Sequence, residues 1–361
     1  MAWTPSGLAQ SNVPESFVEF DLPPFVWPTY QQEFSEKKWQ MDTVFDQVRQ
    51  YAIEGLERSP QPLDSIHYEG YLSNAPQRHQ SVKQLRDMQY LYALAWSYEF
   101  THQQKFAQQG IEYLSAWTSA YKPTGNDVNE NKLDAIFLGY TIFYPLLERD
   151  LRQQIEDWMK TLAEMHISLW DPDEGSSNRH AKSVKLILLA GRCLDNKRLL
   201  NFATIAYQEL LQKCLLPTGA TTDLERRKSM HYNVSCLQVL LEVALLIDPW
   251  MPDIYTLKTE NGGSLKRSVA FLLPYVLGKQ EFREWVGTNV EGFDRKRAIS
   301  QDPYYQPGKK WDPAEGVFCI LFARQYESRL DAPSSRLLAE SAQWEHEAIN
   351  KLLALNQHSD H

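Results

Sequence analysis

Only four of the 361 residues are cysteines, Cys193, Cys214, Cys236 and Cys319, and no two of them form a CxxC pair. That argues against a zinc ribbon or a thioredoxin-like redox centre. Three of the four sit in apolar periodic stretches, where cysteine behaves as a small core residue. The even count permits disulfides without implying them. Long apolar runs are also missing: none reaches the roughly 18 to 20 residues of a membrane-crossing helix, so no membrane insertion is expected. The N-terminus, MAWTPSGLAQ, has no basic stretch followed by an apolar one, so no signal peptide is expected in this chain. Basic residues are outnumbered 37 to 46, giving a net charge of -9. A general nucleic-acid or membrane-surface binder would carry a basic stripe instead. The nine histidines are scattered, with neither HExxH nor an i, i+4 pair, so no metal is expected. GxGxxG, Walker and GxSxG sequences are absent, which removes the common nucleotide-binding and serine-hydrolase readings. No cofactor is expected.

What is present is a globular composition, 43% hydrophobic and 23% charged, with ample apolar mass for a core. Eleven tryptophans and eighteen tyrosines read first as large core fillers, though flat aromatic faces also suit sugar rings. Residues 1–45 read as an extended arm lying on the body, with Pro5, Pro14, Pro23, Pro24 and Pro28 in its first thirty positions. From there helical spacing dominates, beginning with Val44, Phe45, Val48, Tyr51, Ala52 and Leu56. Helices are expected over about 82–100, 103–120, 131–147, 150–169, 181–193, 196–214, 230–247, 265–277, 313–327 and 335–355. Strand signals are few, no βαβ alternation occurs and no sharp repeat is visible. The expected fold is all-α, an incomplete α/α toroid of about ten or more helices in antiparallel pairs, forming one domain over 46–361. In such a ring the polar connectors at one end carry the chemistry.

Two connectors stand out. In GSSNRHAKSVKLILLAG, residues 175–191, Asn178, Arg179 and His180 directly precede a strongly apolar helix. A helix start offers unpaired N–H groups and partial positive charge, both of which favour a carboxylate. Read without chemistry, Ser177 or Asn178 is an ordinary N-cap, with Arg179 and His180 solvated. In TGATTDLERRKSMHYNVSCLQVLLEVALL, residues 218–246, Arg226, Arg227, Lys228, His231 and Tyr232 fall within seven positions. Read plainly, this is a basic solvated turn of helix. Arginines beside a tyrosine are also what β-elimination from a uronic acid requires. The C5 proton is weakly acidic while the adjoining carboxylate is charged, so cations or amide donors must neutralise it and stabilise the enolate-like intermediate. One side chain must take that proton, and an acid must protonate the leaving oxygen at C4. Arginine's fixed fork of donors suits the first task. A tyrosine with its pKa lowered by neighbouring cations suits the second. Positions six apart lie about 120° around a helix. Arg226 and Tyr232 therefore share a site only if a helix begins between them or a cleft wraps around it.

These two segments, about 45 residues apart, resemble the alginate lyase superfamily of alginate and glucuronan lyases. That family carries an Asn-His pair before a helix, then an acidic-Leu-x-Arg stretch with a tyrosine six or seven residues after the arginine. DLERRKSMHY supplies Asp223, Leu224, Arg226, Ser229 and Tyr232. RHQSVKQLRDMQYLYALAWSYEFT, YLSAWTSAYKPTGNDVNENKLDAIFLGY and NGGSLKRSVAFLLPYVLGKQEFREW extend the likeness from about residue 65 to about 290. The resemblance implies a polysaccharide lyase acting on an anionic, uronic-acid polymer. It makes Tyr232 proton acceptor and donor, with His180, Arg226 and Asn178 holding the carboxylate and His180 an alternative base. In β-D-mannuronate and β-D-glucuronate, H5 and O4 lie on the same side, so one tyrosine serves both steps. Arg179 interrupts the family's Asn-His pair, so either Asn178 shifts into the role or Arg179 replaces it. His231 competes with Tyr232 for the cleft-facing position. Arg179, Arg227 and His231 are candidate substrate contacts, and Trp170, Tyr275 and Trp285 candidate stacking surfaces. The resemblance also implies a periplasmic or secreted location; oligomeric state is left open.

Two other readings compete. A toroidal glycoside hydrolase needs two carboxylic acids flanking the bond, and Asp127, Glu130, Asp171, Asp173 and Glu174 lie in connectors. A non-catalytic glycan-binding toroid fits the interrupted Asn-His pair.

Overall fold

In the computed structural model, residues 46–171, 178–287, 292–333 and 337 are described. The expected arm over 1–45, the expected helix over 335–355 apart from Leu337, and Ser177, Asp173 and Glu174 lie outside them. Of the described residues, 67% are helical. Among the described residues the only β pairings are two isolated bridges, Leu215 with Thr221 and Arg283 with Lys310.

The α-helices are α1 (Asp46–Leu56), α2 (Pro76–Gln84), α3 (Arg86–Thr101), α4 (Gln104–Ala120), α5 (Asp127–Glu130), α6 (Ala135–Phe143), α7 (Arg149–Ser168), α8 (Asn178–Cys193), α9 (Lys197–Cys214), α10 (Thr222–Arg227), α11 (Met230–Ile247), α12 (Leu265–Val276), α13 (Gly292–Ile299) and α14 (Val317–Ala323). They form two layers. The inner layer runs α3, α6, α8, α11, α14, each packed on the next. Burial separates the layers: 8 of 9 residues are buried in α6 and 13 of 16 in α8, against 7 of 17 in α4 and 6 of 20 in α7. A helix apolar all round suits an inner wall, and one with a single apolar stripe an outer wall. Because inner and outer helices alternate along the chain, the inner ones run in one direction. Their N-termini, with the connectors that precede them, gather at one end.

Helix α11 is the one described helix long and apolar enough to cross a membrane, which the expectation of no such run had not allowed for. Its 18 residues are 78% buried, as an inner-wall helix must be. The expected helix over 82–100 is two, joined at Leu85, and that over 131–147 is a 3₁₀ turn (Asn131–Leu133), α6 and a second 3₁₀ turn. All four cysteines are free; Cys214 and Cys236 bring their sulfurs to 3.9 Å.

Candidate active site

The chain from α10 to α11 shapes the site. Helix α10 ends at Lys228, whose φ of 49° is left-handed and whose N–H returns to the Leu224 carbonyl. The Lys228 carbonyl accepts the Trp285 N–H at 2.6 Å, which pins the turn. Helix α11 then starts at Met230. A helix does begin between Arg226 and Tyr232, so the 120° objection does not apply. Upstream, Gly219 (φ +91°) makes the turn after α9; a Cβ there would stand 2.8 Å from the Arg267 carbonyl. The buried Glu284 carboxylate accepts the His231 N–H at 3.0 Å, satisfying an orphan donor in the first turn of α11.

Asp223 joins the two connectors. Its buried carboxylate accepts the Asn178 N–H at 2.7 Å, tying the start of α8 to α10. One turn further along α10, the Arg227 guanidinium carbon lies 3.3 Å from the centre of the Tyr232 ring. Arg226 is exposed at the end of α10, so the arginine over the phenol is Arg227.

Tyr232 Oη donates to Asp294 Oδ1 at 3.2 Å and accepts from Arg297 Nη1 at 2.7 Å. Asp294, 4% exposed, also receives Arg227 through Nε at 3.0 Å and Nη2 at 2.6 Å. Burial pushes the Tyr232 phenol up to about 12, against the pull of Arg227 and Arg297. Next to it, His231 Nδ1 stands 2.7 Å from Glu315 Oε2, and its ring packs edge-on against Tyr232 and Tyr304. His231 thus has its own carboxylate partner, while Tyr232 meets the cations.

On the α8 side, Asn178 is buried and its Oδ1 accepts from Lys182 Nζ at 2.7 Å; Lys182 also donates to Ser235 Oγ at 3.2 Å. With its oxygen so engaged, the Asn178 amide has its NH₂ group left to donate. Burial lowers Lys182 to about 8, against the opposing fields of Asp127, Cys236 and Asp223. Arg179 is spanned by carboxylates: Nε lies 3.1 and 3.0 Å from the Asp127 oxygens, and Nη1 3.5 Å from Glu69. Its charge is largely answered within the protein, which makes Asn178 the better-placed donor for an incoming carboxylate. His180, in the same first turn, packs edge-on against Trp170 at 5.0 Å.

Of the proposed stacking surfaces, Trp170 meets His180 and Phe202, and Tyr275 on α12 packs with Phe271 of the same helix and with Phe282 beyond its end. Trp285 is 4% exposed beneath Tyr304 and Tyr305. A ring so covered offers no face to a sugar, and its part is to prop the α10–α11 turn.

The structure adds residues that the sequence did not single out. Tyr68, in the loop before α2, has Lys132 Nζ 3.9 Å and the Arg78 guanidinium 4.5 Å from its ring centre. The Lys132 charge, followed by Arg78 and Arg297, outweighs burial and lowers the phenol's pKa. Arg297 acts on both Tyr68 and Tyr232, so the loop and the α10–α11 junction share one electrostatic site. Ser73 reinforces that closure through bonds of 2.7 Å from its N–H and hydroxyl to Asp302. Two of the connector acids are engaged within the protein: Asp127 is held by Arg179, and Glu130 is buried against His166.

An all-α double-layered ring with cations, an amide and a phenol converging at the inner-helix starts defines a polysaccharide lyase of the toroid class. A family model described as alginate lyase matches residues 32–282. The chain belongs to the alginate lyase family. Among solved structures it is similar to an alginate lyase from Bacteroides ovatus, with 13% identity, a TM-score of 0.64, and coverage of 87% of this chain and 95% of that one. It is also similar to an alginate lyase from a Sphingomonas species, with 15% identity, a TM-score of 0.56, and coverage of 83% and 89%. A tyrosine-to-phenylalanine variant of an alginate lyase, solved with a tetrasaccharide, aligns at 14% identity with a TM-score of 0.58, over 83% of this chain and 88% of that one. No curated protein matches the sequence.

Replacing Lys182 tests the α8 wall. Lys182→Met is expected to lower kcat/KM about tenfold by releasing the Asn178 amide, the scale of one charge-assisted hydrogen bond. It also removes a titration. The folded value near 8 lies below the ordinary 10.5, so between those limits the unfolded chain binds more protons and stability rises with pH. From pH 7.5 to 9.5 the wild type should gain about 2 kcal/mol over the variant in urea unfolding. Parallel curves would show that Lys182 is not the buried cation described.

Proposed function

We propose that this enzyme cleaves a β-linked polyuronate of the polymannuronate (alginate) or glucuronan type by syn elimination. The observation that carries the reading is the phenol of Tyr232 held between Arg297 and Asp294, with Arg227 over its ring from the helix that Asp223 ties to the backbone N–H of Asn178. The uronate carboxylate is met by Asn178 and His180 with the nearby cations, which stabilise the charge that develops as C5 loses its proton. Tyr232 as phenolate takes H5. The electron pair moves to C5, the C4–C5 double bond forms, the C4–O4 bond breaks, and the phenol returns its proton to O4. One group suffices because H5 and O4 share a face in both sugars.

The test incubates the protein with polymannuronate, polyguluronate, glucuronan, hyaluronan and heparin-type chains and follows ultraviolet absorbance from the new double bond conjugated to the carboxylate. Absorbance from polymannuronate or glucuronan is the expected result. New reducing ends without absorbance would replace the lyase by a hydrolase. Neither signal from any polymer would leave a binding protein.

A further inference from the structure

The residues around Tyr232 that the family likeness leaves unassigned come from α13, beyond the matched region of 32–282. We propose that Arg297, held in place by Asp294, is the positioning residue that readies Tyr232 as a base, by donating to the phenol oxygen and supplying the positive charge beneath which the phenolate forms. The proposal rests on the elimination reading above and deepens it.

The geometry makes the case. Arg297 Nη1 is 2.7 Å from Tyr232 Oη and 3.1 Å from Asp294 Oδ1, so one N–H group bridges the phenol and the carboxylate. Asp294 Oδ2 holds Arg227, leaving Oδ1 for Arg297 and the phenol. The side chains are 6% exposed for Asp294, 17% for Arg297 and 28% for Arg227, so water screens them weakly. Two guanidiniums and one carboxylate leave a single uncompensated positive charge around a neutral phenol. With the phenolate formed, the cluster is electrically balanced. Burial still holds the phenol above its ordinary value, so the two arginines reduce the cost of that ionisation without cancelling it.

The two α13 residues therefore act in opposite senses. Arg297 favours loss of the phenolic proton, while Asp294 opposes it through its charge and supports it only by holding the arginines. The other groups facing the phenol are Arg227 from α10, His231 beside it, and Tyr304, whose ring carries the Arg297 guanidinium at 4.6 Å. None of these gives the phenol oxygen a hydrogen bond comparable to that of Arg297 among the described residues.

The test has a readout that needs no substrate. In the full chain labelled with ¹³C at tyrosine Cζ, Tyr232→Phe identifies the Tyr232 resonance, which is then followed from about pH 9 to about pH 13, a range that spans the phenol's value of about 12. Asp294→Asn should move its titration to lower pH, and Arg297→Met to higher pH. In the kinetic assay Arg297→Met should lose about 100-fold in kcat with KM within about threefold, the scale of one preorganised donor. Arg297→Lys should restore part of that loss and provides a folded comparison if the methionine variant is unstable. If Arg297→Met leaves the Tyr232 titration in place, or both substitutions shift it the same way, the proposal is overturned and Arg297 merely holds α13. A rise in KM with kcat unchanged also overturns it, because Arg297 would then be a substrate contact. Failure of the elimination reading shows separately, as a wild-type protein that yields no ultraviolet-absorbing ends.

Discussion

Tyr232→Phe is expected to lower kcat about 10³-fold with KM changed less than threefold, and to leave the fold intact. The loss is large because a single hydroxyl removes H5 and protonates O4, and general acid–base steps contribute roughly 10² to 10⁴ each. The fold should survive because Arg297 and Asp294 keep their mutual contact at 3.1 Å and Arg227 keeps Asp294. The wild-type pH profile should carry the same signature. With the phenol near 12, only a small phenolate fraction exists at neutral pH, so kcat/KM should rise about tenfold per pH unit. If charged Lys182 holds Asn178, the rise should pause over about one pH unit above 8, where that lysine loses its proton and with it a roughly tenfold contribution. In Lys182→Met the break should vanish and the rise continue. A phenylalanine variant that retains wild-type turnover would remove Tyr232 from the chemistry and return the role to His180 or His231.

The scaffold was legible because the inner helices are apolar on nearly every face and the outer ones on a single stripe. Runs such as Val184 to Ala190 admit only a helix inside a core. The site was half legible. Asn178, His180, Arg227 and Tyr232 sit in two short segments, and their chemistry shows in the residue types alone. The choice between Arg226 and Arg227 did not show, since it depends on a left-handed turn at Lys228 fixed by the Trp285 N–H from 57 positions downstream. Arg297 and Asp294 were hidden for a similar reason. The stretch FDRKRAIS reads as a solvated basic helix, and only tertiary packing aims two of its side chains at a phenol 62 and 65 positions earlier in the chain. Lys182 likewise reads as an ordinary polar position on α8, and its value lies in the buried amide one turn away. Arg179 looked like a substitute carboxylate partner because the carboxylates that occupy it, Asp127 and Glu69, lie 52 and 110 positions away.

The connector that holds Arg179 rests in turn on Glu130, where the largest stability effect is expected. Glu130 has no exposed surface. Its Oε1 accepts from Tyr121 Oη at 3.0 Å, from Thr124 through N–H at 2.5 Å and hydroxyl at 2.9 Å, and from the Gly125 N–H at 3.2 Å. Its Oε2 lies 2.9 Å from Nε2 of the equally buried His166, whose Nδ1 pairs with Ser183 on α8. Glu130→Ala strands these donors in the core and should cost about 4 kcal/mol. Glu130→Gln, which keeps an acceptor but not the charge, should cost about half as much. The pH dependence distinguishes the charge from the shape. Burial pushes the carboxyl up, but His166 and Thr124 outweigh it, and the folded value lies below the ordinary 4.5. The unfolded chain therefore takes up its proton first on acidification. The contribution of the charge is complete above about 4.5 and is lost as pH falls through the folded value. The gap between wild type and Glu130→Gln in urea unfolding should thus be widest near neutrality and close below that pH. A gap of constant size would mean that the glutamine is penalised by shape alone. Because Glu130 closes the four-residue helix that starts with Asp127, either variant should also weaken substrate binding at temperatures where the fold holds, seen as a higher KM with kcat little changed.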